Sequence, residues 1–79
     1  RKANIMATKT NFNWTPILGS ATYMEGSYRS IYCELREADE GFHWSFYADD
    51  SDEPIQRGFS FMQDNAERDL VLAVDAYLW

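Results

Sequence analysis

From residue 30 onward, apolar and polar positions alternate through three successive stretches, and the period then lengthens to that of a helix. In 30–37, Ile31, Cys33 and Leu35 alternate with Tyr32, Glu34 and Arg36. Successive strand side chains point to opposite faces, so this spacing sends one set inward. Asp39-Glu40-Gly41 fits a short hairpin turn, with Gly41 free to take a positive φ. Phe42, Trp44, Phe46 and Ala48 then alternate with His43, Ser45 and Tyr47. After the loop 49–54, a third stretch over 55–61 sets Ile55, Phe59 and Phe61 on one face with Arg57, opposite Gln56, Gly58 and Ser60. The pattern predicts one mainly apolar sheet face and one mixed polar and aromatic face.

Residues 66–79 contain neither Gly nor Pro. At about 100° per residue, Ala66, Leu70, Ala73, Val74 and Tyr77 share a face, with Val71 and Leu78 on its flank. Asp64 with Glu67 three residues on fits a capping box that starts the helix. Laying that helix across the apolar side of the sheet buries both surfaces. The expected core is Phe42, Trp44, Phe46, Phe59, Phe61 and Tyr77. Before residue 30 the pattern is weaker. Residues 1–13 are polar and aperiodic, which predicts a flexible N-terminal arm before a single domain over 14–79. Pro16 and Gly19 interrupt the next stretch, 20–25 fits an edge strand, and Gly26-Ser27 fits a turn. The expected fold is α+β: a three- or four-stranded antiparallel sheet with one C-terminal helix packed across one face.

Length and charge narrow the function. A chain of 79 residues holds one domain and buries only about 60% of its unfolded surface. No apolar run approaches the roughly 20 residues that span a bilayer, so no membrane partner is expected. No apolar stretch follows Arg1 and Lys2, so no signal peptide is read. Cys33 is the one cysteine, which excludes an intrachain disulfide and favours a cytoplasmic setting. The net charge of −6 is uneven. Up to Cys33 there are four basic residues and one acid; from Glu34 on there are twelve acids and three bases. An acidic half repels phosphate backbones, so direct nucleic-acid binding is not expected.

Few residues are left to carry chemistry. His43 is the one histidine and suits a general base, but no nucleophile motif surrounds it. With Tyr32 and Tyr47, expected cross-strand neighbours, it forms the candidate ligand set. Cys33 alternates with Ile31 and Leu35 and reads as a small buried hydrophobe. The acids Asp49, Asp50, Asp52 and Glu53 lack the turn glycine and distal Glu of a calcium loop and read as a solvated hairpin loop. No metal and no cofactor are expected, and no catalytic set can be assigned. On the helix, Leu72 and Trp79 fall opposite the core face, beside Arg68 and Asp75. That stripe reads as a partner-binding surface, Trp being frequent at binding hot spots, as the seat of the N-terminal arm, or as a frayed end at Trp79.

The order strand–strand–strand–helix over residues 28–79 resembles the small three-stranded DNA-binding domains of the AP2 and phage-integrase type. The resemblance implies a sheet face that reads DNA through Arg and Lys. The face expected to be exposed here presents Tyr32, Glu34, Arg36, His43, Ser45, Tyr47, Gln56, Gly58 and Ser60. Arg36 is the one fixed positive charge among them, too few for phosphate contact. The expectation is a small non-enzymatic protein-binding or self-associating module, a homodimer through the helix stripe or a sheet edge. One alternative is an acidic mimic of nucleic acid that occupies a basic groove through Asp39, Glu40, Asp49, Asp50, Asp52 and Glu53. Another is small-ligand or metal binding at a dimer cleft.

Overall fold

A computed structural model of the chain describes residues 12–79. Five strands and one helix follow in order: β1 (Thr15–Pro16), β2 (Tyr23–Tyr28), β3 (Ile31–Ala38), β4 (Gly41–Tyr47), β5 (Gln56–Ser60) and α1 (Gln63–Leu78). A one-turn 3-10 segment, Ile17–Gly19, lies between β1 and β2. All neighbours are antiparallel, and the sheet order is the chain order. The α+β class and the C-terminal helix agree with the pattern; the sheet has five strands rather than three or four.

Two turns differ from expectation. Gly26 and Ser27 lie inside β2, and the turn falls on Arg29-Ser30, both at positive φ (53° and 68°). Two consecutive left-handed residues match the right-handed twist of the flanking strands, which is why such turns close tight hairpins. Gly41 opens β4 opposite Ala38 and is not at positive φ. Its need is space: a Cβ there would sit 2.5 Å from the Ser60 carbonyl oxygen.

The third alternating stretch faces the other way. Trp44 lies opposite Gly58, and His43 opposite Phe59. Gln56, Gly58 and Ser60 therefore share the helix side, while Arg57 and Phe59 lie on the outer face. Indole volume decides this parity. A Cβ on Gly58 would come within 2.3 Å of the Trp44 ring, so the glycine is what lets the indole lie across β5. Ser60, buried, donates to Asp69 of α1 at 2.9 Å. Phe59 and Phe61, expected in the core, are 40% and 74% exposed.

The core comprises Cys33, Leu35, Trp44 and Phe46 from the sheet, Ala66, Leu70 and Val74 from α1, and Phe12. Tyr77 is half-exposed, its ring tilted against Phe46 at 5.6 Å. Residues 1–11 of the expected arm lie outside the described residues. Phe12, its penultimate residue, is buried and stacks on Trp14 at 4.5 Å. Glu67 does not close a capping box: α1 is entered from Met62 without a side-chain cap, and Glu67 is buried. Its carboxylate accepts the Trp14 indole N–H and, at 3.0 Å, the Gln63 amide. The acid read as a cap instead ties the N-terminal segment to the helix.

Candidate functional site

Alternation on β2, β3 and β4 leaves a full set of side chains on the face away from α1. Tyr23 and Glu25 of β2, Tyr32, Glu34 and Arg36 of β3, His43, Ser45 and Tyr47 of β4, and Arg57 and Phe59 of β5 share it. Its two ends differ in chemistry.

One end is built on Glu34. Its carboxylate accepts from the hydroxyls of Tyr23 (2.7 Å), Tyr32 (2.9 Å) and Tyr47 (3.0 Å). Tyr32 and Tyr47 are directly opposite, with ring centroids 5.7 Å apart. Glu25 lies opposite Glu34, and like charges so placed repel. The Tyr32 oxygen is 2.9 Å from both carboxylates, so its single proton serves them in turn. The hydrogen bond to Glu34, and then burial, push Tyr23 up to about 12. Burial, and then hydrogen bonds to Glu34 and Glu25, hold Tyr32 well above the usual phenol range. Both phenols are thereby fixed as neutral donors.

The other end is cationic and aromatic. His43 packs against Phe59 at 4.9 Å, and Phe59 meets Phe61 edge-on at 5.2 Å. Arg36 is opposite His43, and Arg57 opposite Ser45. Neither arginine forms an ion pair among the described residues. An open depression of about 560 Å³ joins the two ends, lined by Tyr23, Arg36, His43, Tyr47, Arg57 and Phe59. Among the described residues no hydrogen bond joins His43 to a nucleophile. Chemically, the arrangement can hold acceptors and aromatic groups of a bound molecule.

Of the expected ligand set, Tyr32 and Tyr47 meet. His43 lies four residues along β4 from Tyr47, roughly 13 Å away. Sequence reasoning missed Tyr23 and the role of Glu34, and it placed Arg57 and Phe59 on the wrong face. The signal for the last two was Gly58 in register with a tryptophan, which forces the parity.

The remaining candidates are dispersed. Asp39 and Glu40 form the β3–β4 turn, whereas Asp49, Asp50, Asp52 and Glu53 form the β4–β5 loop at the other end of β4, roughly 20 Å away. The acids make two exposed clusters rather than one track. No group of three His, Cys, Asp or Glu among the described residues could hold a metal ion. On α1, Leu72 is 60% exposed, Trp79 is fully exposed, and Arg68 extends into solvent. Asp75 is engaged elsewhere: it accepts from Arg29 at 2.9 Å and from the Tyr28 hydroxyl at 3.0 Å. Arg29 holds its carboxyl below the usual carboxylate range. Cys33 is fully buried, and burial pushes its thiol up to about 11, which disfavours the thiolate at neutral pH. No family model, no curated protein and no solved structure matches this chain.

Proposed function

We propose that this chain is a small non-enzymatic binding module that works by self-association, a second copy being its first partner. One observation carries the reading. Large apolar side chains stand in solvent on two surfaces: Ile55, Phe59, Phe61 and Met62 at the β5 end of the sheet, and Leu72 with Trp79 on α1. Monomers rarely leave apolar groups clustered in this way, and a self-complementary patch closes most simply into a two-fold dimer. The outer sheet face then serves as the surface a dimer presents to further protein partners. Its phenols are held by hydrogen bonds, and tyrosines give large contact area at low entropic cost.

A reducing, cytoplasmic setting belongs to the proposal. It is supported by the single buried cysteine and by a fold that uses no disulfide. No helix among the described residues is long and apolar enough to cross a membrane. The test is molar mass by light scattering on size-exclusion chromatography, over a tenfold range of concentration. Twice the chain mass of 9.2 kDa is expected at the upper end. A monomer throughout that range refutes the reading. Leu72→Arg, run in parallel, reports whether the helix stripe carries the contact.

A further inference from the structure

We infer that two copies of this chain join edge to edge through β5, antiparallel about a two-fold axis at Gly58; this rests on the self-association reading and names its surface. Among the described residues the sheet order leaves two edges, and they are not equivalent. β1 is two residues long and contains Pro16, which has no N–H to offer. β5 runs five residues with neither Pro nor Lys, the usual guards of an open edge. Its outward N–H and C=O groups form a template for another strand. The occupant is a second copy because the strand is complementary to itself.

With the axis at Gly58, all five residues of β5 overlap. Arg57 then faces Phe59 of the second copy, and Ile55 faces Phe61 of the second copy, each pairing occurring twice. Arg57 and Phe59 lie on the outer face, and Ile55, Phe59 and Phe61 are 36%, 40% and 74% exposed. A guanidinium over an aromatic ring and an aliphatic group beside one are favourable cross-strand pairs. Gln56 faces Ser60 of the second copy on the helix side. Neighbouring registers are worse. Moving the axis to Arg57 sets guanidinium against guanidinium. Moving it to Phe59 pairs only 58–60 and leaves Ile55 uncovered. An odd shift sets the outer face of one copy beside the helix side of the other.

One unsatisfied group of the single chain lies beside the proposed axis. The Trp44 indole N–H is buried without an acceptor among the described residues, and it lies over Gly58. A buried donor left unpaired is costly, and native structures seldom tolerate one. In this register Gln56 of the second copy stands on the helix side opposite Ser60, two positions along from Gly58.

The test is a charge exchange read by light scattering and analytical ultracentrifugation, with circular dichroism to verify folding. Phe59→Arg sets two cations opposite each other at both symmetry-related sites and is expected to weaken the dimer at least about tenfold. Adding Arg57→Glu to the same chain restores opposite charges across the axis and should restore the dimer. The altered side chains are exposed, so the fold should be retained. A wild-type monomer overturns self-association and this pairing together. A wild-type dimer that Phe59→Arg leaves intact, or that the double variant fails to restore, overturns the β5 pairing alone. Loss of the dimer in Leu72→Arg but not in Phe59→Arg moves the contact to the helix.

Discussion

Glu34 shows how one residue organises its surroundings. It faces Glu25 on an exposed sheet surface, and three phenols donate to its carboxylate. The energetic consequence appears in alkali. Tyr23 is raised from 10.0 to about 12 by the hydrogen bond to Glu34. A group whose folded pKa lies above its unfolded value contributes fully below the unfolded pKa and loses that contribution as pH rises through the folded one. Tyr23→Phe should therefore cost about 1 kcal/mol near neutral pH, at the weaker, solvent-screened end for a bond to a charged group. The difference from wild type should shrink between pH 10 and about 12. Urea unfolding of both proteins along that series measures it, and a difference independent of pH rejects the assignment. Alternation made Tyr32 and Tyr47 legible as neighbours, because both lie on regular strands. Tyr23 was not legible, since Pro16 and Gly19 interrupt the chain before it and hide which side its strand presents.

At the scale of elements, period gave the three strands from residue 31 on and the helix, but not β1, the end of β2 or the facing of β5. Ile55, Phe59 and Phe61 look like the apolar side of a strand, yet Gln56, Gly58 and Ser60 face the helix. Two local demands outweigh the hydrophobic count: Trp44 needs an empty position opposite it, and Ser60 has an acceptor in Asp69. Neither demand is visible without knowing which residues are opposed. The same holds for Glu67, whose spacing from Asp64 mimics a cap while its carboxylate reaches Trp14, distant in sequence. That contact fastens the N-terminal segment to α1 and positions Phe12 in the core. Glu67→Ala would leave the Trp14 N–H without its acceptor, and we expect a loss of roughly 1–3 kcal/mol. Trp14→Phe removes the donor, so in a double-mutant cycle the second substitution should cost markedly less in the presence of the first. Additive losses would mean that the two residues contribute separately, through packing alone.

For the whole molecule, the placement of charge separates self-association from acidic mimicry by the sign of a salt effect. Each copy carries −6, and six of its thirteen acids fall in two clusters at opposite ends of β4. Two such copies repel, and the proposed contact is built from apolar side chains, guanidinium–ring pairs and backbone hydrogen bonds rather than ion pairs. Salt shortens the range of the repulsion, from about 30 Å at 0.01 M to about 8 Å at 0.15 M, and leaves the apolar contact largely untouched. The dimer should accordingly tighten as salt rises over that interval. Capture of a basic groove by Asp49, Asp50, Asp52 and Glu53 would move the other way, because attraction between opposite charges is what salt screens. Sedimentation at a fixed protein concentration across a salt series reads the first sign directly. A dimer that dissociates as salt is added would mean that the two copies are held by opposite charges. Arg36 and Arg57 of one copy would then meet the acidic loop of the other, a head-to-tail contact that propagates instead of closing.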